Sequence, residues 1–304
     1  MAAGLPASVP HAAPTTYAEL EGWRVVGVEG ADALRWLHDL LSADLLDLGP
    51  GEARRALLLA PTGAVRAECT VAHLGDGVVL LQDPAQPRPI DELLAPYVLS
   101  SDVRLEDRSQ ALRTFALPGG VHEALPGATR RTAPSALGAG VDLWCRAEDA
   151  PAVREALGAT RRAATGAEIE AWRIAAGRPR LAVDAREGDL PAECGLDDAV
   201  STTKGCFLGQ EAVARVRNLG HPRRVLVHVV ADGTVRPGEP VLAEDRETGE
   251  VTSAAELDDR TYALVRIRWA DREADLRTPG GVDLHTIACV GGPPSSRGSG
   301  ESRG

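Results

Sequence analysis

The hydrophobic pattern of this 304-residue chain changes abruptly at Gly220-His221-Pro222. Beyond this point no apolar residues recur at helical spacing, and short apolar runs separated by Gly and Pro turns predict β-strands. The runs are Val225–Val230, Pro240–Ala243, Glu250–Ala254, Ala263–Arg268 and Asp283–Ile287. Many short strands without a helix are typical of a small antiparallel barrel. We therefore predict a barrel domain over residues 221–291.

Residues 17–220 mix helices and strands without strict alternation, which favours an α+β fold of intertwined domains over a doubly wound sheet. Apolar runs on both sides of Pro61-Thr62-Gly63, followed by a third run after Gly75-Asp76-Gly77, predict a strand meander. A helix is predicted over residues 31–46. The flanking segments 1–16 and 292–304 are rich in Pro, Gly, Ser and Ala, and this composition predicts disordered tails.

A second helix is predicted after Thr165, because Thr165 and Glu168 have the spacing of a capping box and Gly177 supplies a stop signal. Arg173 lies on the apolar side of this helix. A guanidinium in that position needs an anionic partner, and a structural ion pair is the alternative to a ligand-binding role.

Composition restricts the class of protein. The net charge of −11 argues against non-specific binding to nucleic acid or to an anionic membrane, so we expect no direct nucleic-acid contact. Five widely spaced cysteines without a C-x-x-C pair argue against a disulfide framework and indicate the cytoplasm. No metal site is predicted, since the histidines show no ligand spacing. No signal peptide or membrane span is recognisable.

The run Lys204-Gly205-Cys206-Phe207-Leu208-Gly209-Gln210-Glu211 is the strongest chemical motif. A helix is predicted directly after it, and a thiol close to a helix N-terminus and a lysine is a better nucleophile or ligand. The alternative is a small buried hydrophobic side chain. The phosphate-binding, dinucleotide-binding, nucleophile-elbow and zinc-protease motifs are absent from the sequence.

Two segments carry a family resemblance: Pro191–Leu196 and Thr203–Glu211. Together they resemble the signature of YgfZ-type folate-binding proteins, relatives of the glycine-cleavage T-protein, which is an aminomethyltransferase. The segment Trp172–Gly177, the meander and the terminal barrel extend the resemblance over about residues 17–290. The resemblance implies a ring-like, three-part α+β protein with a central channel for a reduced folate such as tetrahydrofolate.

The resemblance also implies roles for individual residues. Glu193 is similar to a pterin-binding glutamate, and Arg173 is expected to meet a carboxylate of the folate tail or Glu193. Gln82 stands where the T-protein has a folate-contacting asparagine. The T-protein's paired hairpin aspartates are replaced by Ala67-Glu68, so Glu68 retains one carboxylate. Within the signature, Cys206 is the expected functional thiol, and Lys204 and Phe207 are expected to contribute to cofactor binding.

Three functions are compatible with these residues. The first is a tetrahydrofolate-binding accessory protein that supports the assembly or repair of iron–sulfur client enzymes and the tRNA modifications that depend on them. The second is a folate-dependent one-carbon transferase or demethylase, with Glu68 acting on a folate nitrogen. The loss of the carboxylate pair counts against the second function. The third is an interaction protein without a ligand, which bound folate would exclude.

Overall fold

The computed structural model describes residues 15–99, 101–121, 125, 129–138 and 140–290, without the side chains of residues 217–219. The predicted tail 292–304 lies outside the described residues, as do residues 1–14 of the predicted tail 1–16. Thr16, however, is buried and begins the first strand. The folded part therefore starts at least one residue before the predicted boundary.

The structure contains helices and strands in irregular order. In chain order the strands are β1 (Thr16–Glu19), β2 (Arg24–Glu29), β3 (Ala53–Leu59), β4 (Val65–His73), β5 (Val78–Gln82), β6 (Arg104–Asp107), β7 (Leu112–Leu117), β8 (Arg130–Thr132), β9 (Val141–Arg146), β10 (Arg162–Ala163), β11 (Arg224–Ala231), β12 (Pro240–Ala243), β13 (Arg246–Leu257), β14 (Arg260–Arg268), β15 (Leu276–Arg277) and β16 (Asp283–Cys289). The helices are α1 (Ala33–Leu40), α2 (Ile90–Leu94), α3 (Ala150–Gly158), α4 (Gly166–Ala175) and α5 (Gln210–Leu219).

The first sheet has the strand order β3-β4-β5-β2-β6, and its neighbouring strands are antiparallel. The predicted meander forms its β3, β4 and β5. Alternate residues of β4, including Ala67, Cys69 and Val71, pack into an apolar core with α1 and α2. This alternation places Glu68 on the other face of the sheet. The alternation of apolar and polar residues over 65–71 predicts this arrangement from the sequence.

The second sheet has the order β10-β1-β7-β9-β8. One of its faces packs on α3 through residues such as Phe115 and Leu157. The other face packs on the first sheet, where Ala18 and Trp144 share a core with Leu81. The two sheets and the helices outside them therefore form a four-layered N-terminal part, and each sheet is buried on both faces.

The C-terminal strands close into an antiparallel barrel in the order β11-β14-β13-β12-β15-β16. Its interior is filled by alternate residues such as Val227, Val265 and Ile267. The prediction of an α+β fold that ends in a small antiparallel barrel is confirmed. Both ends of the barrel segment, Arg224 and Cys289, lie inside the predicted range 221–291.

Two helices are shorter than predicted. The helix predicted over 31–46 ends at Leu40, because Leu41 adopts an extended conformation and forms a β-bridge with Leu58. The sequence also predicts a helix around Arg88–Leu99. Only the short α2 forms there, and it continues as a single 3-10 turn that contains Pro96. A tertiary contact ends the first of these helices, and a proline ends the second, so each is shorter than its apolar pattern predicts.

Helix α4 lies on the outer surface of the barrel and connects it to the N-terminal part. The predicted capping box is present, since Glu168 N donates to Thr165 Oγ1 at 3.2 Å and Thr165 N donates to Glu168 Oε2 at 2.8 Å. Gly177 follows the helix with φ +66°, and a Cβ at this position would lie 2.9 Å from His228 Nδ1. Gly177 therefore allows both the left-handed helix end and the close approach to the barrel.

His228 makes this interface sensitive to acid. It is buried, Nε2 has no hydrogen-bond partner in the described part of the chain, and burial lowers the pKa of His228 from 6.5 to about 4. Between these two pH values the unfolded chain binds more protons than the folded one, so stability falls as the pH falls from 6.5 to 4. The full loss from this group is about 3 kcal/mol.

We expect His228→Phe to remove this part of the acid dependence, because phenylalanine retains the ring and cannot take up a proton. The check is urea unfolding of wild type and variant at pH 7 and pH 4.5. His221→Gln is the control, because His221 is exposed. An equal loss of stability in wild type and His228→Phe would contradict the assignment.

Candidate functional site

A small, partly open cavity of about 40 Å³ lies where the first sheet, the second sheet and the loop after α4 meet. We call it the central cavity. The lining side chains from the first sheet and its neighbouring loops include Trp23, Glu68 and Gln86, and those from α4 and the following loop include Arg173 and Arg178. Of the predicted site residues, Glu68 and Arg173 line this cavity.

Glu68 is held firmly from two sides. Its carboxylate forms an ion pair with Arg55, with 2.5 Å between Arg55 Nε and Glu68 Oε1. Burial lowers the pKa of Arg55, but the charges of Glu68 and Asp198 outweigh this effect and raise it above its ordinary value. The Gln86 side-chain amide binds the backbone of Glu68, donating to its carbonyl at 2.8 Å and accepting from its N–H at 2.9 Å. Sequence reasoning missed Gln86, which shows no motif.

Arg173 is buried, as predicted, but its partners differ from the expected ones. Its guanidinium donates to Glu170, to Asp184 at 2.6 Å, to Ser253 Oγ at 2.8 Å and to the carbonyl of Arg178 at 2.7 Å. These bonds use all five N–H groups of the side chain. Arg173 thus connects α4 to the following loop and to β13. The expected pairing with Glu193 is not found, and no N–H remains for a folate tail.

Gln82 is committed to the start of α2. Its Oε1 accepts from Ile90 N at 2.8 Å, and its Nε2 donates to the carbonyl of Arg88 at 2.9 Å. The side chain is buried and is absent from the wall of the central cavity. Gln82 therefore satisfies unpaired backbone groups at the start of the next helix. The structure gives no support to the predicted contact of Gln82 with folate.

Glu193 also lies off the described wall of the central cavity. It is half-buried at the end of the 3-10 turn Pro191–Glu193, and its Oε2 accepts from Leu190 N at 3.2 Å. Its carboxylate closes its own turn rather than facing the cavity. Its predicted role in pterin binding stays a prediction.

Lys204 is the single lysine of the sequence, against 32 arginines. Its buried ammonium donates to the carbonyls of His38, Leu41 and Ala43, the last two at 2.6 and 3.0 Å. These carbonyls lie at the C-terminal end of α1, where a cation is favourable. Burial lowers the pKa of Lys204 to about 8. The three donors of an ammonium suit three convergent acceptors, whereas a planar guanidinium does not.

Phe207 anchors the other side of the same loop. It is buried in a core with Leu57, Leu59 and Val65 of the first sheet. Lys204 Nζ lies 4.9 Å from the centroid of its ring. Neither residue lines the described part of the central cavity. The structure therefore shows Lys204 and Phe207 as the anchors of the loop, not as cavity residues.

Cys206 lies between these two anchors, and its side chain is exposed and unpaired. Helix α5 begins only at Gln210, after Gly209 with φ +83°. A Cβ on Gly209 would lie 2.4 Å from the carbonyl oxygen of Ala60, so glycine is required where the loop packs on the hairpin turn. The Lys204 ammonium is bonded to α1. The motif thus presents the thiol to solvent on a fixed loop, with the lysine serving as an anchor.

The other cysteines have a different character. Cys69, Cys145 and Cys194 are buried, and burial raises their pKa values, to about 12 for Cys69 and about 11 for Cys145. Thiols of this kind are inert. Within the described residues, no three His, Cys, Asp or Glu side chains are grouped to hold a metal ion. The described helices include none that is long and apolar enough to cross a membrane.

The chain is similar in sequence to two kinds of known protein, aminomethyltransferases and YgfZ proteins. No family model matches the chain. An aminomethyltransferase from Geobacillus kaustophilus (strain HTA426) is 28% identical over 266 residues, which cover 75% of this chain and 72% of the relative. A tRNA-modifying protein YgfZ from Enterobacter sp. (strain 638) is 24% identical over 290 residues, 86% of this chain and 88% of the relative. The chain is similar both to aminomethyltransferases and to YgfZ-type proteins.

The fold of this family extends over nearly the whole chain. The crystal structure of glycine cleavage system aminomethyltransferase T from Bartonella henselae superposes with a TM-score of 0.77 at 17% identity. The match covers 91% of this chain and 85% of the aminomethyltransferase. The resemblance predicted from Pro191–Leu196 and Thr203–Glu211 is confirmed, and so is the predicted T-protein-like fold.

Proposed function

We propose that this protein binds a reduced folate, tetrahydrofolate or a close derivative, in the central cavity. In this proposal it is an accessory factor for iron–sulfur enzymes and for the tRNA modifications that depend on them. The observation that carries the proposal is the central cavity itself, which lies between the two sheets and the loop after α4 and has a fixed carboxylate, Glu68, on its wall. The unpaired cysteines suit a reducing compartment such as the cytoplasm.

The side chains of the wall fit such a ligand. A pterin ring presents an amino group and a ring N–H, for which carboxylates such as Glu68 and Asp83 are suitable acceptors. Trp23 adds an aromatic surface, and the wall also carries arginine donors. When bound, a reduced folate would supply nitrogen atoms that can carry a one-carbon group. The residues of this chain would bind the folate and orient it.

Cys206 would provide the chemical contact with a client. Its exposed position on an anchored loop leaves the thiol accessible to another protein. One thiolate does not hold an iron–sulfur cluster, since such clusters generally use four ligands. The remaining ligands would come from the client enzyme, with Cys206 as a transient ligand or thiol partner.

One observation favours the alternative, a folate-dependent one-carbon transferase. Glu68 lies on the hairpin strand and lines the cavity. One hairpin carboxylate is therefore retained at the position from which a transferase would act on a folate nitrogen. The ion pair of Glu68 with Arg55 fixes the carboxylate as a hydrogen-bond acceptor. We therefore assign Glu68 to ligand binding.

Titration calorimetry with tetrahydrofolate tests both the function and the position of the ligand. We expect Glu68→Gln to weaken binding about 10-fold or more, because a charged acceptor is lost. We expect Glu193→Ala to bind as wild type does, because Glu193 does not line the described cavity wall. The opposite result would place the pterin at Glu193. Retained binding with lost turnover in Glu68→Gln would support the transferase, and no binding by wild type would refute the folate proposal.

A further inference from the structure

Arginine side chains crowd one side of the central cavity, and one of them lacks a counter-ion. Arg55 pairs with Glu68, Arg173 with Asp184, and Arg180 with Asp83 at 2.9 Å. Arg173, Arg178 and Arg180 line the cavity itself. Among the described residues the Arg178 guanidinium makes no hydrogen bond and has no carboxylate oxygen within 4.0 Å.

The backbone holds Arg178 at this place. The left-handed Gly177 turns the chain after α4, and Arg178 N donates to the carbonyl of Arg173 at 3.0 Å. Its guanidinium lies close to Gly138, where a Cβ would be 3.2 Å from Arg178 Nη1. A side chain at position 138 would contact the guanidinium too closely, so the glycine allows Arg178 to adopt this position.

The surroundings of Arg178 favour an incoming anion. Burial and the nearby charge of Arg55 lower the pKa of Arg178 to about 10, so it is protonated at neutral pH. The neighbouring carboxylates have other partners: Glu68 is bound to Arg55, and Asp142 to Ser135 Oγ at 2.6 Å and Ala136 N at 2.8 Å. Arg178 is half-buried. A cation that is partly withdrawn from water and lacks a partner is unfavourable, and a bound anion would supply the partner.

The cavity therefore has two chemically different sides. Glu68 and Asp83 supply acceptors from the first sheet and the loop after β5, whereas Arg178 supplies free donors from the loop after α4. We propose that Arg178 anchors a carboxylate of the bound ligand, so that the cavity selects molecules with a donor-rich ring at one end and a carboxylate at the other. This proposal rests on the proposed function and specifies the orientation of the folate.

Three probes separate the two ends of the ligand: tetrahydrofolate, an unsubstituted tetrahydropterin that lacks carboxylates, and aminobenzoylglutamate, which lacks the pterin. Calorimetry is carried out with wild type, Arg178→Gln, Arg178→Lys and the control Arg236→Gln, which removes an exposed arginine of the barrel segment. Thermal unfolding of each variant shows whether the fold is retained. Arg178→Lys, which keeps the charge, is expected to lie between wild type and Arg178→Gln.

We expect Arg178→Gln to weaken tetrahydrofolate and aminobenzoylglutamate about 10- to 100-fold, as for the loss of a hydrogen-bonded charge pair, and to leave tetrahydropterin within two-fold. An equal loss for tetrahydropterin, or no loss for any probe, would overturn the assignment. Arg178-dependent binding of aminobenzoylglutamate without any pterin binding would refute the folate proposal and retain the anion site. Absence of binding by all three probes to wild type would refute both.

Discussion

Cys206→Ser is expected to abolish the support of iron–sulfur enzymes in cells while tetrahydrofolate affinity stays within two-fold. The thiol is exposed on a loop that Lys204 and Phe207 anchor, so its replacement removes chemistry and leaves the packing intact. The measurement is complementation. Cells that lack their own copy receive wild type or variant, and client-enzyme activity and dependent tRNA modification are compared with those of cells carrying an empty vector.

Cys289→Ser is the matched control, because Cys289 is a half-buried free thiol on the barrel strand β16. It is expected to complement as wild type does. Full complementation by Cys206→Ser would show that the Cys206 thiol is not needed for the proposed function. A loss of tetrahydrofolate binding in Cys206→Ser would instead show that this side chain shapes the ligand site.

The second large effect concerns stability. Lys204→Met is expected to lower the free energy of unfolding by about 3 kcal/mol, because three buried carbonyls lose their donor. For a chain of this size the melting temperature should fall by about 6–12 °C. Lys204→Arg is expected to behave similarly, since a guanidinium does not match three convergent acceptors. Differential scanning calorimetry measures all of these changes.

Arg236→Met provides the control for Lys204→Met, since it also removes a basic residue, but from an exposed position. It is expected to change stability by less than about 0.5 kcal/mol. A Lys204→Met variant that is as stable as this control would show that the three carbonyl contacts contribute little. The function of Lys204 would then have to be chemical, as first predicted from its place beside Cys206.

Local sequence signals predicted the elements well where they act over a few residues. The capping box at Thr165, the stop at Gly177 and the meander around Pro61-Thr62-Gly63 all depend on neighbouring residues, and all are present. The end of α1 was missed, because Leu41 leaves the helix to pair with Leu58, a residue far away in sequence. Element boundaries of this kind depend on tertiary contacts.

The candidate site was predictable only in part. Glu68 was chosen from the family resemblance and Arg173 from its helix face, and both line the central cavity. Gln82, Glu193 and Lys204 were chosen by position in a motif, and in the structure each satisfies nearby backbone groups instead. A polar residue near a conspicuous motif looks the same in sequence whether it binds a ligand or a carbonyl.

The sequence by itself determined the class of fold, the barrel after Gly220 and the family resemblance, since periodicity, turn residues and the run Lys204–Glu211 are all local patterns. Tertiary structure alone decided which charges are neutralised. Arg173 and Arg178 lie five positions apart, yet Arg173 meets Asp184 and Ser253 from elsewhere in the chain, whereas Arg178 meets no carboxylate among the described residues. The physical reason is that ion pairing depends on distances between side chains that only the folded chain brings together.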